Sequence, residues 1–161
     1  MTASTLTDYR TPRAWALLAA FLVVVIVVGG IIGVTNTPDA WYQALQKPPF
    51  NPPNWVFGPV WFTLYVLIAI AGWRTFLAGP SGRRMWIWYA QMVLNWCWSP
   101  VWFTLHALWP AFALIVAILL LTLSFIASSW RQDRVSASLF VPYALWVAFA
   151  SSLNLSIALL N

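Results

Sequence analysis

Charged side chains divide this chain into long uncharged stretches. None falls between Arg13 and Asp39, between Lys47 and Arg74, between Arg84 and Arg131, or after Arg134. A helix needs about 20 apolar residues to cross a hydrocarbon core about 30 Å thick. The first, second and last stretches each hold one such span. The third, Met85 to Trp130, holds two with a turn near His106–Pro110, where Pro110 in the first helical turn forfeits no hydrogen bond. The pattern therefore predicts an all-α fold: a polytopic membrane protein, a five-transmembrane-helix bundle with spans at 14–34, 55–73, 85–105, 110–129 and 137–160. Short alternating segments that would build a membrane barrel are not seen. Residues 1–161 read as one domain, with 35–54 a long connecting loop.

Composition agrees. Of 161 residues, 62% are apolar and 7% charged, where a soluble domain carries about a quarter charged. The net charge of +5 raises the question of nucleic acid, but the spans sort the positives by side of the membrane. Arg10, Arg13, Arg74, Arg83, Arg84, Arg131 and Arg134 fall on one side and Lys47 alone on the other. That bias places the N-terminus in the cytoplasm and the 35–54 loop outside, and no nucleic-acid partner is expected. The first apolar run is longer than the core of a signal peptide and reads as an uncleaved helix. Lone Cys97 and lone His106 cannot build a protein-only zinc site, so no metal is expected.

No ionisable residue lies inside a predicted span, which weighs against ion-coupled pumps and transporters. Three Asp and no Glu leave little material for acid–base chemistry, and no hydrolase or phosphate-loop motif occurs. What remains is neutral polar and aromatic. Gln91, Asn95 and Ser99 recur every four residues and share one helix face. Tyr143, Trp146, Ala150 and Asn154 form a second stripe, after a Pro142 that predicts a kink, and Phe57, Trp61 and Tyr65 a third. Two readings fit these faces: polar contacts gluing helices together, or the rim of a largely apolar ligand pocket. Trp55, Trp73, Trp86, Trp88, Trp109 and Trp130 fall at predicted span ends and read as an interface belt. Trp61, Trp98 and Trp146 lie deeper, where pocket lining and core packing are both open. Gly29 and Gly33 form a GxxxG, a close-packing face within the bundle or between copies.

The stretch from Trp41 to Trp61, WYQALQKPPFNPPNWVFGPVW, packs five prolines, three tryptophans and the only lysine into one connection. Prolines lower the entropy lost when a loop is held in one shape. With Trp41, Tyr42 and Phe50 beneath it, the segment reads as a stiff lid over the bundle mouth. Lys47 is either a solvated loop charge or a partner for a ligand carboxylate.

Three blocks in order resemble the TspO/MBR family, which includes tryptophan-rich sensory proteins and the translocator protein (peripheral-type benzodiazepine receptor). The first comprises Trp41-Tyr42, Leu45, Lys47-Pro48, Phe50, Pro52-Pro53, Trp55, Phe57, Pro59-Val60-Trp61 and Leu64-Tyr65. The second is Gln91, Asn95, Trp98, Ser99 and Phe103, and the third Pro142-Tyr143, Trp146, Ala150 and Leu153-Asn154. The resemblance implies a membrane protein that binds tetrapyrroles such as protoporphyrin IX and haem, and isoquinoline-carboxamide or benzodiazepine-type drugs, in contact with membrane lipid. It implies a role in porphyrin sensing, regulation or transport, with porphyrin as ligand and no required cofactor, in a homodimer. Its ligand site would include Tyr42, Pro52, Trp61, Tyr65, Asn95, Trp98, Trp146 and Ala150, to which the helix faces add Gln91 and Tyr143. Trp61 and Trp146 match tryptophans associated with light-dependent porphyrin breakdown, which leaves an enzymatic role open. Passage of porphyrin or lipid-like molecules across the membrane is a further alternative. Animal members carry a Tyr and a basic residue after Leu-Asn in the last helix. Leu155-Ser156 follow here with no Lys or Arg beyond, which argues against sterol binding through that segment and for a bacterial-type member in a cytoplasmic membrane.

Overall fold

The computed structural model describes residues 9–161, so the first eight residues of the predicted domain lie outside the described part. Six α-helices follow in order: α1 Pro12–Thr35, α2 Ala40–Ala44, α3 Phe57–Ala78, α4 Arg83–Ser99, α5 Leu108–Ser129 and α6 Arg134–Leu160. A 3-10 turn at Asn54–Val56 leads into α3 and a π turn at Pro100–Thr104 prolongs α4. The segments 12–35, 54–78, 108–129 and 134–160 have the length and apolar composition of membrane spans.

α4 differs from these four. It holds 17 residues, among them Gln91, Asn95 and four tryptophans, and its α-helical hydrogen bonding stops at Pro100, which has no N–H to donate. The chain continues in wider turns, Leu105 N–H bonding to Pro100 O at 2.9 Å and Ala107 N–H to Val101 O at 3.1 Å. His106 then takes a left-handed conformation with φ of 53°, which reverses the chain into α5.

Local chemistry fixes the other ends. Thr11 caps α1, its hydroxyl accepting from Ala14 N–H at 3.1 Å, with Pro12 as the first helical residue. Asp133 caps α6 by accepting from the Ser136 N–H and hydroxyl. The same carboxylate receives both arms of Arg74, at 2.9 and 3.1 Å, tying the end of α3 to the start of α6. Asp133 is drawn toward neutrality by burial, but the Arg74 and Ser136 bonds outweigh that and hold its carboxyl below the usual range.

The bundle is built by α5 against α6 and α4, α1 against α3, and α3 against α6, with lighter contacts from α4 to α1 and α3. Its core joins Ile68, Met92, Ile118, Phe125, Phe140 and Tyr143. Two of the six belt tryptophans belong to this interior and correct the sequence reading. Trp55 is 76% exposed, whereas Trp73 and Trp88 are 6% and 5% exposed. Trp73 donates its indole N–H to Ala14 O at 2.8 Å, and Trp88 to Ile68 O at 3.0 Å. Trp88 packs against Gly72, where a Cβ would meet its ring. Being near a span end did not decide their place; a neighbouring helix carbonyl did. α6 runs unbroken through Pro142.

Candidate functional site

A cavity of about 570 Å³ lies among α1, α3, α4 and α6, with two isoleucines of α5 on its wall and α2 across it. That volume falls within the range of small-molecule sites. Of the ten residues singled out in the sequence, Tyr42, Trp61, Tyr65, Asn95, Trp98, Trp146 and Ala150 line it. Each helix contributes one face, as i, i+4 spacing requires: Phe57, Trp61 and Tyr65 from α3, Asn95 and Trp98 from α4, Trp146, Ala150 and Asn154 from α6.

The other three stand elsewhere. Gln91 and Tyr143 are fully buried beneath the cavity, where they complete a hydrogen-bonded chain. Tyr65 donates to Asn95 Oδ1 at 3.2 Å, Asn95 Nδ2 donates to the Tyr143 hydroxyl at 3.0 Å, and Tyr143 donates to Gln91 Oε1 at 3.1 Å. Here the two readings of the polar faces merge: the same chain glues α3, α4 and α6 and forms the polar floor of the cavity. Pro52 lines a separate, outward-facing apolar groove with Val60, Leu64, Pro142, Leu145 and Phe149, and Trp146 is the wall common to both.

Aromatic packing sets the indoles in place. Trp98 stacks on Trp102 with centroids 5.6 Å apart and planes at 16°, and donates to Asn154 Oδ1 at 3.2 Å. Trp61 lies 5.3 Å from the Tyr65 ring, and Phe57 meets Trp146 edge-on at 5.7 Å. Such offset and edge contacts are the favoured geometries between rings.

The predicted loop contains a helix. Asp39 starts α2 by accepting from Tyr42 N–H at 3.0 Å, and its other oxygen lies 3.1 Å from His106 Nε2. That amide above all, with His106 beside it, holds the Asp39 carboxyl below its ordinary value against the opposing pull of desolvation. Trp41 stacks on His106 at 4.1 Å and 20°, Thr104 Oγ1 donates to Asn36 Oδ1, and Gln46 and Asn161 exchange two hydrogen bonds. Lys47 closes the far end of α2, its ammonium donating to the carbonyls of Tyr42, Gln43 and Leu45 at 2.6, 3.2 and 3.1 Å. Neither sequence reading of Lys47 anticipated this cap. Tyr42 itself is buried under the lid, 5.3 Å edge-on from Phe103, and burial pushes its phenol above the ordinary value.

The sequence reading missed the α1 wall, where Gly29, Gly30 and Gly33 line the cavity. Gly29 is also a close approach, since a Cβ there would collide with the Tyr65 ring. The GxxxG was visible, but its meaning depended on what faced it. Trp102 was missed too, although its i, i+4 relation to Trp98 was available.

Residues 17–160 match the model of the TspO/MBR family. The chain is 33% identical over 147 residues to the tryptophan-rich sensory protein of Cereibacter sphaeroides, covering 91% of this chain and 92% of that protein. It is 35% identical over 153 residues to protein CrtK of Rhodobacter capsulatus, covering 89% and 92%. Over 139 residues it is 35% identical to the translocator protein of Ovis aries, covering 78% and 79%.

Proposed function

The chain belongs to the TspO/MBR family, and on that premise we propose that it binds a tetrapyrrole of the protoporphyrin IX or haem type between its helices, as a step in porphyrin sensing, regulation or transport. Its four long apolar helices and that membership make it an integral multi-pass membrane protein. In the proposed topology α4 with its π turn supplies a fifth span, the N-terminus is cytoplasmic, the lid lies outside, and the membrane is a bacterial cytoplasmic one. Neutral isoquinoline-carboxamide or benzodiazepine-type drugs would share the cavity, porphyrin being ligand rather than resident cofactor, and the working unit would be a homodimer.

The observation that carries this reading is the cavity lined by Trp61, Trp98 and Trp146 above a neutral hydrogen-bonding floor. Indole faces suit a large flat π-system, and the floor orients without charge. The test is titration of protoporphyrin IX into the protein in lipid nanodiscs, following tryptophan emission. Saturable quenching at micromolar ligand, weakened at least about tenfold in Trp146→Ala, is expected. Quenching no greater than in empty nanodiscs would end the proposal.

A second reading, light-dependent porphyrin breakdown, draws on the placement of Trp61 and Trp146 on one cavity. It expects porphyrin absorbance to fall under illumination in the wild type and to persist in Trp61→Phe and Trp146→Phe. Equal rates in all three would remove tryptophan from the reaction.

A further inference from the structure

The composition of the cavity wall bears on which ionic form of a ligand it takes. Among the described residues, its lining contains no Lys, Arg, His, Asp or Glu. Its polar groups are side-chain amides, a serine hydroxyl, the phenols of Tyr42 and Tyr65, and indole N–H groups.

The two basic side chains of the lid region are turned to other work. An ammonium carries three N–H donors, and Lys47 has a carbonyl oxygen within hydrogen-bond distance for each of them, Tyr42 O, Gln43 O and Leu45 O. It also sits 4.6 Å over the Tyr42 ring. His106 is held between Asp39 and the face of Trp41. Neither reaches the cavity wall.

An ionised carboxylate taken into this space would lose water and meet no cation, and an unpaired buried charge is among the costliest groups to place. Neutral acceptors fare differently. The amide nitrogens of Asn95 and Asn154 each carry a second N–H beyond the one given to Tyr143 or to Ala150 O. Such donors suit a carbonyl, ester, amide or ring nitrogen.

We propose that the cavity accepts only uncharged ligand edges, so that a tetrapyrrole lies with its ring faces inside and its propionates outside the lining. This rests on the reading of the cavity as a tetrapyrrole site and adds the rule by which it selects. It also assigns Lys47 to the lid alone. Lys47 stabilises α2 from its C-terminal end and does not pair with a carboxylate.

The experiment compares protoporphyrin IX with its dimethyl ester by quenching of tryptophan emission in nanodiscs, each against empty nanodiscs, in wild type and Lys47→Gln. The ester is expected to bind as tightly as the acid to within about threefold, or more tightly. Lys47→Gln is expected to shift the two affinities by the same factor, since it disturbs only the lid. An ester more than about threefold weaker than the acid overturns the proposal, and so does a Lys47→Gln loss confined to the acid. Either result leaves the binding site itself standing. Absence of saturable quenching by both ligands would instead bring down the site reading, and this inference with it.

Discussion

The floor and the lid of the cavity are both held by polar contacts, yet the two are built on opposite principles. The floor links three helices through Tyr65, Asn95, Tyr143 and Gln91, with the last three buried. Gln91 and Tyr143 are sealed off from the cavity, so a broken link at that end leaves a group with nowhere else to bond. The lid is tied through Asn36, Asp39 and Gln46 by contacts that are exposed. Each is individually replaceable by water, and exposed pairs contribute little. The proposed ligand site would use this asymmetry: a floor that keeps its shape when empty, under a cover whose polar ties cost little to break even though Tyr42 is packed in one apolar cluster with Trp102, Leu153 and Ile157.

The largest effect should come from breaking the floor. Asn95→Leu removes the acceptor of the Tyr65 hydroxyl and a donor to Tyr143, and should lower stability by about 2–3 kcal/mol. Thermal unfolding in detergent measures it, and a loss under about 0.5 kcal/mol would mean the floor is no firmer than the lid. Next comes Gly29→Ala. Its new Cβ would fall on the Tyr65 ring, pushing the hydroxyl from Asn95 at a cost of about 1–3 kcal/mol. A double variant Gly29→Ala/Tyr65→Phe should show less than the summed cost if the collision acts through that hydroxyl.

The lid should respond more weakly and through kinetics. Asp39→Ala removes the α2 cap and the His106 contact, and ligand release should quicken by about two- to threefold with little change in unfolding temperature. The sign of the pH effect follows from the depressed carboxyl. Such a group contributes fully above its unfolded value of about 3.9 and loses its contribution as pH falls through the lower folded value. Release from the wild type should therefore lose this restraint only below about pH 4, and the Asp39→Ala difference should vanish there.

The smallest effect should be at Gly33. It shares α1 and the cavity wall with Gly29, but no atom lies within 4 Å of a Cβ built on it. Gly33→Ala should leave stability unchanged or raise it by up to about 1 kcal/mol. A clear loss in unfolding temperature would show that a second protein surface covers this glycine.

Much of the fold was legible because charge placement and helical period are local properties. The gaps between charged residues located the helices: the predicted 110–129 meets α5 at Leu108–Ser129 and 137–160 meets α6 at Arg134–Leu160. The span that read as 85–105 was harder. Its α-helical part ends at Ser99 because Pro100 withholds a donor, and the π turn covers the rest. The loop read as a stiff lid but its helix went unread, because five residues carry little periodicity, although Asp39 three residues before Tyr42 is the kind of cap that starts α2.

By itself the sequence determined which side chains share a helix face, since 3.6 residues per turn puts Gln91 and Asn95 on one side of α4 whatever surrounds it. Only the tertiary structure decided that Asn95 looks into a cavity while Gln91 is sealed below it. Tyr65, 30 residues from Asn95, and Tyr143, 48 residues away, supplied the partners. The same holds for Trp73 and Trp88 against Trp55, and for Lys47 turned back on its own helix. Periodicity fixes a direction about one helix axis; what lies in that direction depends on a neighbour from elsewhere in the chain.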